Sequence, residues 1–307
     1  MNVQEALKLF ANHKLGEGIK ERTIKNYLAL AKPFIASLPS ERQNIGDILP
    51  SDITNFLAHE RNRGLSPVTV RGMWRTLDLF FGWASSNREL GNPPNPMFLS
   101  PDKKIKAPKI PKKEPRRARL SDLQRVIDAI QIKEWRDLRD RALLELLRDT
   151  GLRVGEVCNL DIGDIDIKQR VLLVRGGKGD KDRRVPFTEQ TAKSLMRYWL
   201  AKPEYKGNQA VFLSAKGGHT IAVRGRISAT GVEQMLRRLC KATGVAHINP
   251  HSIRHAFATK CINDGIRAEV IQKLMGHHDV GFTVKTYAHL STSAMEKEYN
   301  ERWSSGK

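Results

Sequence analysis

The chain has 307 residues, enough for two domains with separate cores. Its composition, 40% hydrophobic and 28% charged, excludes wholesale disorder. Its 53 lysines and arginines against 33 acidic residues leave a net +20, a surplus that suits a polyanionic partner, although charge alone does not tell RNA from DNA.

Residues 1–100 read as helices only. In "RTIKNYLALAKPFIASL" the apolar residues Ile24, Tyr27, Leu28, Ala31, Ile35 and Leu38 recur at helical spacing, and Pro33 inside the pattern is expected to kink or break it. "SDITNFLAHE" opens with Ser51 as the expected N-cap. "SPVTVRGMWRTLDLFFGWA" has Ser66 as cap, Pro67 at the first helical position and Val70, Met73, Trp74, Leu77, Phe80 and Ala84 along one stripe.

Periodicity then stops. Residues 101–120 hold nine basic and two acidic residues, a net of +7, with four prolines. Like charges repel and proline blocks helix and sheet, so residues 101–117 are expected to form an extended linker. That charge density suits a strap along a phosphate backbone, making Lys103, Lys104, Lys106, Lys109, Lys112 and Lys113 candidate DNA contacts.

A second domain is expected over 118–307. Helices are signalled at "LSDLQRVIDAI" and at "LRDRALLELLRDTG", the latter stopped by Gly151. "QRVLLVRGGKGDKDRRVPF" reads as a β-hairpin, with "AVFLS" as a third strand and the remainder helical. The fold class is therefore mainly α with a small antiparallel sheet. Cys158, Cys240 and Cys261 form no CxxC pair and are expected as small buried hydrophobes in a reducing cytoplasm. No apolar run approaches membrane-spanning length and the N-terminus lacks a signal peptide's apolar core, so a soluble, cytoplasmic protein is expected.

Six polar residues stand out. Arg153 opens a short helix in "TGLRVGE", and Lys178 sits at the tip of the hairpin. In "NPHSIRHAFATKCINDG", Asn249 is the N-cap, Pro250 the first turn, His251 and Arg254 lie on adjoining parts of one face, and Ile253, Phe257 and Cys261 form a separate buried stripe. His277 follows Gly276 at a helix end, and Tyr287 comes ten residues later. Each alone is an ordinary surface, turn or packing residue. Together they are a set of groups for attack on a phosphodiester: two arginines for the non-bridging oxygens, histidines to bind them or take a proton, a lysine for the leaving alkoxide and a tyrosine as nucleophile.

Arg, Lys, His-x-x-Arg, Gly-His and Tyr, in this order and spacing, resemble the tyrosine recombinase (phage integrase, Xer-like) family. "TGLRVGEVCNL", "GGKGDKDRRVPF", "HSIRHAFAT" and "LMGHHDVGFTVKTYAH" each resemble its signature segments, closely over 118–290 and more weakly over 1–100. The resemblance implies a SAM-like helical core-binding domain and a mainly-α catalytic domain, forming a C-shaped clamp on double-stranded DNA. It implies that Arg153 and Arg254 clamp the scissile phosphate, His251 moves a proton, His277 donates to the phosphate, Lys178 is the general acid and Tyr287 becomes a 3′-phosphotyrosine. Glu156 would support this cluster, with His255, His278 and His289 in supporting or structural places.

A homotetramer on synapsed inverted-repeat sites, with or without a partner recombinase, would then exchange strands through a four-way junction. A terminal helix docking on a neighbouring protomer is the family's expectation for "STSAMEKEYNERWSSGK", with a solvated tail as the alternative. No cofactor is expected, because a phosphotyrosine ester conserves bond energy and cationic side chains neutralise the charge. A length of about 300 residues leaves little room for a further arm-binding domain, which suits dimer-resolution, plasmid or small-element recombination over a large phage integrase.

Three rival readings fit the same residues. A type IB topoisomerase-like enzyme would use similar chemistry without joining two sites. A metallohydrolase would use His251 and His255, four apart, although Ser252 stands where its usual motif needs glutamate. A DNA-binding regulator would keep the fold and lack the chemistry.

Overall fold

The computed structural model describes residues 1–111, 118–176, 182–205, 209–216 and 222–276. The chain divides into two compact units, Met1–Glu114 and Pro115–Lys307.

The first unit is a four-helix bundle: α1 (Val3–Gly16), α2 (Glu21–Ser37), α3 (Pro50–Asn62) and α4 (Pro67–Ser85). Its core is aromatic, with Phe34 edge-on to Phe56 and Phe81, and Phe10 edge-on to Phe80. Ser66 caps α4 as its sequence indicates, accepting from the Thr69 amide at 3.1 Å. Two expectations fail. Ser51 is not the cap of α3, which starts one residue earlier at Pro50; the Asp52 carboxylate takes the Leu49 amide instead. Pro33 does not break α2, because Ala31, Phe34 and Ile35 around it are all buried in the bundle.

The basic segment also departs from a free strap at its start. Strands β1 (Phe98–Ser100) and β2 (Lys103–Lys104) pair antiparallel, and the flanking Met97 and Ile105 are buried in the bundle core. The Trp74 indole donates to the Ile105 carbonyl, and Lys104 pairs with Asp78 at 2.6 Å. Two apolar anchors outweigh the repulsion of the lysines between them.

The second unit opens with α5 (Leu120–Asp128), α6 (Trp135–Thr150) and α7 (Val154–Asn159). A three-stranded antiparallel sheet follows, β3 (Ile165–Asp166), β4 (Val171–Val174) and β5 (Arg183–Pro186), with β4 central. The expected hairpin is present, Val174 opposite Arg183 and Val171 opposite Pro186. Its third strand is Ile165–Asp166 and not "AVFLS". Val211 and Phe212 are wholly buried, and only Leu213 and Ser214 enter a second hairpin, β6 (Leu213–Lys216) with β7 (Ala222–Arg226), on the far side of α8 (Glu189–Ala201) in sequence.

Three helices complete the described chain: α9 (Ala229–Thr243), α10 (Pro250–Asn263) and α11 (Ala268–Met275). Phe257, Ala258 and Cys261 of α10 pack on Ile271 and Met275 of α11, which fixes where the last turn of α11 ends. All three cysteines are buried as free thiols, and burial pushes Cys158 and Cys261 up to about 11. Among the described residues no helix is long and apolar enough to cross a membrane.

Candidate active site

Gly151 ends α6 in the left-handed region at φ 59°, and a β-carbon there would fall 2.3 Å from Cδ1 of Phe257. Glycine is thus required twice, by conformation and by space. The turn it makes delivers Arg153 to the N-cap of α7 and leaves the Gly151 carbonyl pointing at α10.

On α10 the cap reads as expected. The Asn249 side chain accepts from the Ser252 amide at 2.8 Å, and Ile253, Phe257 and Cys261 are buried. His251 is exposed, one helical turn from half-buried His255, and the two Nε2 atoms are 3.0 Å apart. Arg254 is only 4% exposed. Its guanidinium bridges two carbonyls, Nη1 to Gly151 at 2.8 Å and Nη2 to Met275 at 2.6 Å.

Three consecutive carbonyls at the C-terminal end of α11 each take an arginine. Arg183 donates through Nε to Leu274 at 2.9 Å, Arg254 to Met275, and Arg153 through Nη2 to Gly276 at 3.2 Å. Helix ends leave such carbonyls without intrahelical donors and carry partial negative charge, so cations are favoured there. The arginines come from β5, α10 and the N-cap of α7.

Glu156 joins two of them. Its carboxylate accepts from Arg153 Nη1 at 3.0 Å and from the Arg153 amide at 2.9 Å. It also takes the Arg183 fork at 2.8 and 3.1 Å. Burial alone would raise its pKa. The hydrogen bonds from Arg183 and the Arg153 amide, with both positive charges, outweigh that and hold the carboxyl below its ordinary value of 4.5.

Of the six residues expected to act, Arg153, His251 and Arg254 are described; the first and third share the end of α11, while His251 lies one turn before Arg254. Lys178, His277 and Tyr287 lie outside the described residues, although His277 directly follows the Gly276 that Arg153 holds. In the basic segment Lys103, Lys106 and Lys109 are exposed, Lys104 is engaged by Asp78, and Lys112 and Lys113 lie outside the described residues. Arg183 was not anticipated. In "DKDRRVPF" it reads as one more surface cation, yet strand alternation puts it on the same face as buried Val185, with Arg184 facing out.

The sequence matches the Phage integrase family over residues 116–294, and the phage integrase N-terminal SAM-like domain over residues 6–89. The chain belongs to the phage integrase family. It is 30% identical over 305 residues to the tyrosine recombinase XerC of Bacillus subtilis (strain 168), covering 97% of this chain and 96% of that protein. It is similar to the crystal structure of XerA recombinase, with 30% identity, a TM-score of 0.52, and 97% and 98% of the two chains covered. The lambda integrase (75–356) dimer bound to a COC′ core site shares the fold, with a TM-score of 0.67, 21% identity, and 91% and 96% covered. This phage integrase family member is a site-specific tyrosine recombinase that acts on DNA.

Proposed function

We propose that this recombinase cleaves one strand of a duplex through Tyr287 and holds the product as a 3′-phosphotyrosine. Arg153 and Arg254 bind the non-bridging oxygens and neutralise the charge that builds in the pentacoordinate transition state. His251 takes the phenol proton as the Tyr287 oxygen bonds to phosphorus, and His277 donates to the same phosphate. As the phosphorus–O5′ bond breaks, Lys178 gives the departing alkoxide its proton. Religation reverses each transfer, and the ester conserved in the intermediate makes an energy source unnecessary.

The observation that supports this reading most is the placement of Arg153 and Arg254 on the carbonyls of Gly276 and Met275, the two residues ahead of His277. It puts two fixed cations beside the start of the segment that carries His277 and Tyr287. Residues 1–100 would bind the duplex together with the catalytic domain at 118–307, the basic segment 101–117 adding phosphate contacts. The working assembly would be a homotetramer on paired inverted-repeat sites, in the cytoplasm with the nucleoid. The test is a denaturing gel of protein mixed with nicked site DNA: wild type should give a covalent adduct, and Tyr287→Phe should bind equally and give none. Adduct in Tyr287→Phe would mean that another residue attacks.

A further inference from the structure

Arg153 has two anchors, Glu156 Oε1 for Nη1 and the Gly276 carbonyl for Nη2. A guanidinium is a rigid planar fork, so two anchors set its plane and aim its remaining donors. Its side chain is 41% exposed, so nothing else in the described site buries it in place.

Both anchors are themselves set by Arg183. The Arg183 fork grips both oxygens of Glu156, at 3.1 and 2.8 Å. Its Nε holds the Leu274 carbonyl, two residues before Gly276. The guanidinium also packs against Gly276, where a β-carbon would come within 2.9 Å of Nη1 and 3.0 Å of Cζ. Gly276 is itself in the left-handed region at φ 63°, so a side chain there would be strained as well as blocked. Three of the five Arg183 N–H groups are already taken, two by Glu156 and one by the Leu274 carbonyl. A surface ion pair needs none of this. Glu156 is half-buried between two arginines, and removal of one leaves a carboxylate gripped from one side only.

We propose that Arg183 is a positioning residue for strand cleavage: it fixes Glu156 and the end of α11, and through them the orientation of the phosphate-binding Arg153. Arg183 itself touches neither DNA nor the reacting atoms. This rests on the reading of Arg153 as a phosphate clamp.

The test uses the full chain on nicked site DNA at saturating protein, following covalent adduct in a single turnover. Arg183→Lys keeps the charge and loses the fork, and Arg183→Ala loses both. Each should bind site DNA within about twofold of wild type and reach full adduct amplitude, with a rate constant lower by about 100-fold, the scale of an ångström-sized misplacement. Because Arg183 acts partly through Glu156, the double variant Arg183→Lys with Glu156→Gln should be slower than Glu156→Gln alone by much less than the Arg183→Lys factor.

On ordinary DNA two results overturn the proposal. One is a lower amplitude and melting temperature with the wild-type rate constant, which would make Arg183 purely structural. The other is additive loss in the double variant. A 5′-bridging sulfur substrate supplies a third arm, since its leaving group needs no proton. The Arg183→Lys defect should persist on it, and full restoration would place the effect on proton delivery by the hairpin. Adduct formation in Tyr287→Phe, run alongside, would instead remove the assignment of the nucleophile, while the double-variant comparison would still read the link from Arg183 to Glu156.

Discussion

The Nε2 atoms of His251 and His255 face each other at 3.0 Å, with the ring planes at 83°. At that distance one nitrogen donates its hydrogen and the other accepts, so each ring orients the other. His255→Ala should slow adduct formation about tenfold at unchanged DNA affinity, a fraction of what a positioned acid–base group contributes. His255→Gln, whose amide can still donate, should recover most of it. A wild-type rate in His255→Ala would detach His255 from the chemistry.

Lys178 and the arginines should separate by leaving group. An alkoxide needs a proton as it departs, whereas a thiol ionises near pH 8.5, so a thiolate leaves unaided. Lys178→Ala should be slow on ordinary site DNA and largely restored with sulfur at the 5′ bridging position. Arg153→Ala should stay slow on both, because charge on the non-bridging oxygens builds whichever atom leaves. Equal loss of Lys178→Ala on the two substrates would pass the general-acid role to Lys181 or a histidine.

The acid stability of the fold should carry the signature of Glu156. Its pKa is depressed in the folded chain, so its ion pairs stabilise fully above the ordinary value of 4.5 and are lost as pH falls through the lower folded value. Chemical unfolding between pH 7 and 3 should show Glu156→Gln losing less stability on acidification than wild type. Parallel curves for the two proteins would contradict the depressed pKa.

Salt dependence should grade the lysines of the basic segment. Each phosphate neutralised adds about 0.9 to the log–log slope of binding against salt. Replacing exposed Lys103, Lys106 and Lys109 with alanine should make that slope shallower. Lys104→Ala should change it less, since Lys104 is already paired with Asp78. A slope unmoved by the triple change would leave 101–117 a spacer.

Gly151→Ala should destabilise the second unit by about 2 to 4 kcal/mol, combining left-handed strain with overpacking. The β-carbon meets the Phe257 ring, so adding Phe257→Leu should return part of the loss while the strain remains. Full recovery in the double variant would show that conformation at Gly151 costs nothing.

Much of this was legible in the sequence because it rests on local rules. Ser66 and Asn249 cap where serine and asparagine precede a proline at the first helical position. The β4–β5 hairpin followed from β-rich runs around glycines. The failures were tertiary. Pro33 sits inside a helix because its neighbours are buried, and Lys103 and Lys104 form a strand because Met97 and Ile105 are anchored beside them. Arg183 was hidden for the same reason: only the fold reveals that a carboxylate 27 residues away and a helix end 91 residues away meet at its guanidinium.

The arginine-held end of α11 makes the length of that helix a ruler. Each residue of an α-helix advances 1.5 Å and turns by roughly 100°. Deleting one residue within Ala268–Met275 would therefore swing the last carbonyls away from Arg183, Arg254 and Arg153 in a single step. Substitutions at exposed positions such as Glu269 would leave that spacing intact. In this helix composition is negotiable and register is not, so insertions and deletions should be far less tolerated than changes of side chain.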